Sequence, residues 1–295
     1  MIGVGIHPML YAFFDADGRI RADTIVPQVA AAVAAGADGV AVLGLGTEAG
    51  KLGRTERKAL LETAIEAADG RLPVVATIAE TNLPDMMDAA REAHAAGAAW
   101  LILQPPRPPA SGADLIAIFG KVAEAVGCPV AIQNAPEFLG IGLTTGEIAQ
   151  LHDRHPNVVA VKAECSALAL GEMRDELGDR LRLLNGRAGL ELTDNYRAGA
   201  DGMIPGIETV DLQVAVARAM GDDDEERAEA LYRRLLPTLT FIMQGIAHFV
   251  LYGKLIAALR LGIDPGAARL PSLTLSPRGE AWSRRLAADL GPLAC

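Results

Sequence analysis

AAGADGVAVLG, residues 34–44, is the stretch that decides the fold. An alanine-rich helical tail meets Gly36, a residue suited to the left-handed turn that stops a helix. A short strand, apolar on both faces, follows from Val40. The phrase returns as AAGAAWLILQP at 95–105 and as RAGADGMIPG at 197–206. Further short apolar runs stand at 73–78 (PVVATI), 129–134 (PVAIQN), 158–164 (VVAVKAE) and 181–185 (LRLLN), and the opening GVGIHPM at 3–9 adds another. Most of these eight strand candidates lie about 25 to 35 residues apart. Helical patterns fill the gaps, as from Thr55 to Ala68, Asp85 to Ala96 and Leu115 to Val126.

Strands apolar on both faces, alternating with helices, are parallel βαβ units. Eight of them in about 205 residues predict an α/β fold of the (β/α)8 TIM-barrel kind rather than an open doubly wound sheet. No GxGxxG follows the first strand, and GLGTEAG at 44–50 lacks the lysine and hydroxyl of a P-loop. Residues 1–209 read as the barrel and 210–295 as a C-terminal extension of three helices packed on it, the whole forming one structural domain. The most apolar stretch, Leu239 to Leu261, carries Gln244, His248, Lys254 and Arg260, and so reads as a buried core helix rather than a membrane span.

The 295 residues are 51% hydrophobic and 22% charged, the composition of a packed globular protein, with a formal net charge of −10. The acidic run Asp222 to Glu226 reads as a solvated loop entering a helix start, where negative charge suits the dipole. There is no basic patch, so neither nucleic acid nor a membrane is an expected partner. Cys128, Cys165 and Cys295 form no CxxC pair, which fits a reducing cytoplasm, and MIGVGIHPML lacks the features of a secretory signal. His152 and His155 sit in LHDRHPN, a helix end and loop, so no metal is expected.

One residue breaks the apolar pattern of the sixth strand: Lys162, near the C-terminal end, where barrel enzymes place their chemistry. A neutral lysine amine attacks carbonyls to form a Schiff base. Only about one unperturbed lysine in 2,500 is neutral at pH 7, and an apolar surrounding favours the neutral form. Glu164 falls on the same side of the strand. An ionised carboxylate close to the amine would oppose that effect, so Glu164 is expected to face the rim, serving as a base only if the strand bulges.

These residues make the chain recognisable. It resembles the dihydrodipicolinate synthase / N-acetylneuraminate lyase family of class I pyruvate-dependent aldolases and dehydratases. The carriers are FFDADGRI (13–20), GLGTEAGKL (44–52) followed by Thr55-Glu56-Arg57, QNAP (133–136), Lys162, and LYGKLIAALRLGI (251–263). The resemblance implies a barrel with C-terminal helices, an imine between Lys162 and a small-molecule 2-keto acid, no cofactor, and a homo-oligomer, dimer or tetramer.

The departures are informative. Where the family carries Gly-Thr-Thr-Gly-Glu, this chain has Gly44-Leu45-Gly46-Thr47-Glu48. Leu45 relays no proton, while Thr47 and the backbone amides of Gly46 and Thr47 are left to hold a carboxylate, with Glu48 expected beside them as a further substrate-binding residue. Gln133 replaces the tyrosine that is the family's usual acid/base, and an amide exchanges no protons usefully near pH 7. The arginine of dihydrodipicolinate synthases is absent; Glu137, Phe138 and Leu139 stand there. Pro105 to Pro109 replace an aromatic pair, with Arg107 at the edge of the expected entrance.

Gln133 and the Lys-x-Glu spacing look more like the 2-keto-3-deoxy sugar acid dehydratase branch. The leading expectation is a Schiff-base lyase, aldolase or dehydratase, on such an acid, with Lys162, Gln133, Glu164 and Tyr11 in catalysis. His7 is a further acid/base candidate. Gly186 and Arg187, after the seventh strand, and Ile204, on the eighth, join the loop residues in binding substrate, Arg187 as a clamp for a carboxylate or hydroxyls. The alternatives are N-acetylneuraminate lyase-like or synthase-like aldol chemistry with pyruvate, a catalytically silent keto-acid-binding barrel, and an unrelated barrel in which Lys162 is a charge clamp.

Overall fold

The computed structural model describes residues 2, 4–106 and 111–295. Eight strands form one sheet: β1 (Gly5–Ile6), β2 (Val40–Val42), β3 (Val74–Ile78), β4 (Trp100–Leu103), β5 (Val130–Asn134), β6 (Val158–Ala163), β7 (Arg182–Asn185) and β8 (Gly202–Met203). Neighbours run in sequence order from β2 to β8, β1 lies beside β8, and every pairing is parallel. Beyond β1 the chain continues alongside β2, with Leu10 N donating to Ala41 O and Ala41 N to Pro8 O. Those bonds close the ring.

Among the described residues, eight helices of six residues or more surround the strands: α1 (Ile25–Ala35), α2 (Arg54–Ala68), α3 (Leu83–Ala96), α4 (Gly112–Glu124), α5 (Thr145–Arg154), α6 (Ala167–Leu177), α7 (Leu192–Arg197) and α8 (Val210–Gly221), the last against α1 and β1. Gly36 and Gly97 end α1 and α3 at φ 73° and 111°, the left-handed stops that the repeated phrase predicts.

Period-two alternation sorts the strand side chains into two layers. Met9, Val75, Ile102, Ala131, Ala160, Leu184 and Ile204 point inward and fill the barrel. Val74, Leu103, Ile132, Val161 and Leu183 point outward into the larger core beneath the helices. Lys162 has the parity of Ala160, so the sequence aims its ammonium into the barrel.

Three more helices follow the ring: α9 (Glu225–Ile242), α10 (Ile246–Leu261, with a π turn at Phe249–Gly253) and α11 (Pro277–Leu290). The single helix expected over Leu239 to Leu261 does not exist. The chain breaks between Ile242 and Ile246, where Gly245 takes φ 150°, and α9 and α10 meet at 106°. Four helices, rather than three, therefore follow β8. Neither half is long and apolar enough to cross a membrane. As expected, the acidic run leads into a helix, with Asp224 accepting a hydrogen bond from Arg227 N at the start of α9.

Candidate active site

Lys162 lies near the C-terminal end of β6, with only 5% of its surface exposed. Glu164, two residues on, faces inward with it: Nζ and Oε1 are 2.5 Å apart. No bulge is needed, since Glu164 N continues the ladder to Asn134 O. The expectation that Glu164 faces the rim is therefore corrected. Strand periodicity wins because the ammonium supplies the counter-charge that a buried carboxylate requires. Gln133 pairs with Lys162 in register and donates from Nε2 to the same Glu164 oxygen at 2.9 Å. These three side chains form one buried unit.

Gly186 follows β7 and makes room for it. A Cβ there would stand 2.9 Å from Glu164 Cγ, so only glycine lets the carboxylate swing beneath the loop. Arg187 and Ala188 continue in the left-handed region at φ 51° and 55°; Leu43 and Glu48 do so after β2, at 66° and 59°. Strained non-glycine backbone thus collects on the same end of the barrel as the lysine. Arg187 pairs with Glu191 at 2.8 Å through Nη1, while its buried Nε has no partner.

Lys162, Glu164, Gly46, Gly186, Arg187 and Ile204 line one small cavity of about 30 Å³. Met243, Ile246 and Phe249, around the break between α9 and α10, roof it. Sequence reasoning missed the roof, although the apolar run at 239–261 was its signal.

Three expected site residues go elsewhere. Thr47 is buried and donates Oγ1 to Leu10 O at 2.6 Å, so its hydroxyl braces the first strand's extension instead of a substrate. Glu48 forms an ion pair with Lys254 and another with Lys51 at 2.5 Å. Lys254 also donates to Ala12 O and sits over Phe14, the structural role its place in an apolar helix predicts. Tyr11 lies outside the cavity lining, fully buried, its hydroxyl donating to Glu208 at 2.9 Å. Burial and the Glu208 charge push its pKa well above the usual value, which unsuits it for proton transfer near neutrality. His7 packs edge-on against Trp100, the first residue of β4 and therefore at the opposite end of the barrel. His152 bonds the Val158 carbonyl at 2.8 Å. Arg107 lies outside the described residues.

Glu208 carries a pH dependence of its own. Burial raises its pKa from 4.5 to about 7, partly offset by hydrogen bonds from its own backbone and from Tyr11. The folded protein therefore holds an extra proton between those values, and stability falls as pH rises through that window. The loss is on the order of 3 kcal/mol. Thermal melts from pH 4.5 to 8 should show it, with Glu208→Gln flattening the slope; a parallel slope in the variant would assign the effect elsewhere.

A family model described as the dihydrodipicolinate synthetase family matches residues 3–286. A 4-hydroxy-tetrahydrodipicolinate synthase of Symbiobacterium thermophilum is 31% identical over 272 residues, 88% of this chain and 89% of that one. YagE of Escherichia coli K12, provisionally named a 2-dehydro-3-deoxy-D-gluconate aldolase, is 32% identical over 166 residues, about half of each chain (56% and 55%). The structure of YagE in complex with pyruvate superposes with a TM-score of 0.89 at 26% identity, covering 98% of this chain and 99% of that one.

Proposed function

The chain belongs to the dihydrodipicolinate synthetase family of class I Schiff-base lyases, and from that premise we propose that Lys162 forms an imine with C2 of a 2-keto-3-deoxy sugar acid. The observation that carries this reading is the sealed unit of Lys162, Glu164 and Gln133 at the C-terminal end of the barrel. Glu164 is within reach of the ammonium proton; transfer would free the amine and remove two charges from a site poor in water. The amine adds to C2, the carbinolamine loses water, and the iminium becomes an electron sink.

Two outcomes then balance. If Glu164 takes the proton from C3, an enamine forms, and the same proton, returned by Glu164 to the C4 hydroxyl, lets that hydroxyl leave as water. If it takes the C4 hydroxyl proton, the C3–C4 bond breaks into an aldehyde and the enamine of pyruvate. In both, Glu164 occupies the role left open by the missing tyrosine, and Gln133 orients it. Arg187, which lines the cavity and whose buried Nε has no partner, binds the C1 carboxylate.

The name of YagE supports a sugar-acid substrate. Against a dihydrodipicolinate synthase stand Gln133 and the run Glu137-Phe138-Leu139 in place of the expected tyrosine and arginine. The test is product analysis with 2-keto-3-deoxy-D-gluconate beside pyruvate plus aspartate semialdehyde. Release of pyruvate, or loss of water from the sugar acid, is the expected result. Turnover of the second mixture alone would replace this reading with a synthase.

A further inference from the structure

The cavity at Lys162 has room for a water or two, not for a sugar acid. Outside it lies a second cavity of about 590 Å³, between the ends of β2 to β4 and the helix α10. Leu45 and Ile246 line both and form the partition. The outer cavity is lined partly by polar groups, among them Thr81, Gln104, Ser272 and the paired Glu48 and Lys51.

Two buried amides connect the linings of the cavities: Gln104 lines the outer one, and Gln133 donates to Glu164, which lines the inner one. Leu103 pairs with Ile132, so Gln104, just past β4, stands beside Gln133 on β5. They are 7% and 1% exposed, and neither side-chain oxygen has a hydrogen-bond partner. For Gln133 the orientation is fixed, because its NH2 group is committed to Glu164. A buried acceptor without a donor costs about 1–3 kcal/mol. On the other flank of Lys162, the unpartnered group is a donor, Arg187 Nε. The site is therefore polarised, with an anion-seeking end toward β7 and a hydroxyl-seeking end toward β5 and β4.

We propose that the hydroxylated tail of the substrate leaves the Lys162 cavity past Gln133 and Gln104 and occupies the outer cavity, with Leu45 and Ile246 turning aside to admit it. This subsite, which rests on the imine reading above, selects extended polyhydroxylated 2-keto acids over pyruvate itself. An anionic group is disfavoured beside the two glutamine oxygens, where acceptors would meet acceptors.

The test is borohydride trapping across a concentration series, with 2-keto-3-deoxy-D-gluconate and with pyruvate. The half-saturating concentrations are read by intact mass for the wild type, Gln104→Leu and Ser272→Trp. Gln104→Leu keeps the volume and removes the unpaired acceptor, so it should fold, as circular dichroism will show; Ser272→Trp fills the outer cavity from its far side. The expected result is that the preference for the sugar acid over pyruvate falls about tenfold in Gln104→Leu and in the same direction in Ser272→Trp. A preference within about twofold of wild type in both variants overturns the subsite while leaving the imine standing. No adduct with either acid in the wild type overturns the imine and the subsite together.

Discussion

Lys162→Ala should cut turnover by about 10⁴-fold and abolish the borohydride adduct, because no other amine lines the cavity among the described residues. The variant also leaves Glu164 buried with only the Gln133 amide for company. Breaking such a pair typically costs about 3–5 kcal/mol, so loss of activity alone does not distinguish a missing nucleophile from an unfolded protein. The double variant Lys162→Met/Glu164→Gln separates the two effects. It removes both charges, and its melting temperature should recover toward wild type while activity stays lost. Adduct formation in Lys162→Ala would sink the assignment of the imine to this strand.

Glu164→Gln is expected to lower kcat by about 10²–10⁴-fold, the range of a lost general acid/base. The shape of the site is kept, because a glutamine can turn its carbonyl oxygen toward the Gln133 amide. Pyruvate should still be trapped on Lys162, the amine that the substitution leaves in place. A fall in kcat with the adduct retained assigns Glu164 to the proton transfers after imine formation. If kcat stays within about threefold of wild type, Glu164 is only the ion-pair partner of the lysine, and another group moves the proton.

The two variants also weigh the departures from the family pattern. Replacing a tyrosine with Gln133 removes a proton carrier, but the replacement is not passive, since its amide holds Glu164 against Lys162. The change to Leu45 removes a hydroxyl and supplies an apolar wall between two cavities. Both departures lie outside β6, the strand that carries Lys162.

The eight strands were legible because each is short, apolar on both faces and closed off by glycine or proline, and because the phrase at 34–44 repeats. Lys162 was legible as a cation near the C-terminal end of such a strand, where barrel enzymes place their chemistry. The inward direction of Glu164 follows from the period-two pattern, against the electrostatic expectation that a carboxylate stays away from a lysine that must lose its proton. Only the structure shows that lysine and carboxylate offset each other's burial. Tyr11 and Thr47 had suitable chemistry and position along the chain, yet their hydroxyls go to Glu208 and to the Leu10 carbonyl. No local signal distinguishes a hydroxyl kept for a substrate from one spent on a partner 197 or 37 residues away.

The sequence by itself determined the barrel, its strand order and the strand that holds the lysine, because these follow from local periodicity and helix stops a few residues long. The tertiary structure alone decided how the site is closed and what surrounds it. The bend between α9 and α10 that brings Met243, Ile246 and Phe249 over Lys162, the pairing of Glu48 with Lys254, and the two unpaired glutamine oxygens all depend on contacts between distant segments. Those contacts are fixed by packing after the chain has folded, and spacing along the sequence does not encode them.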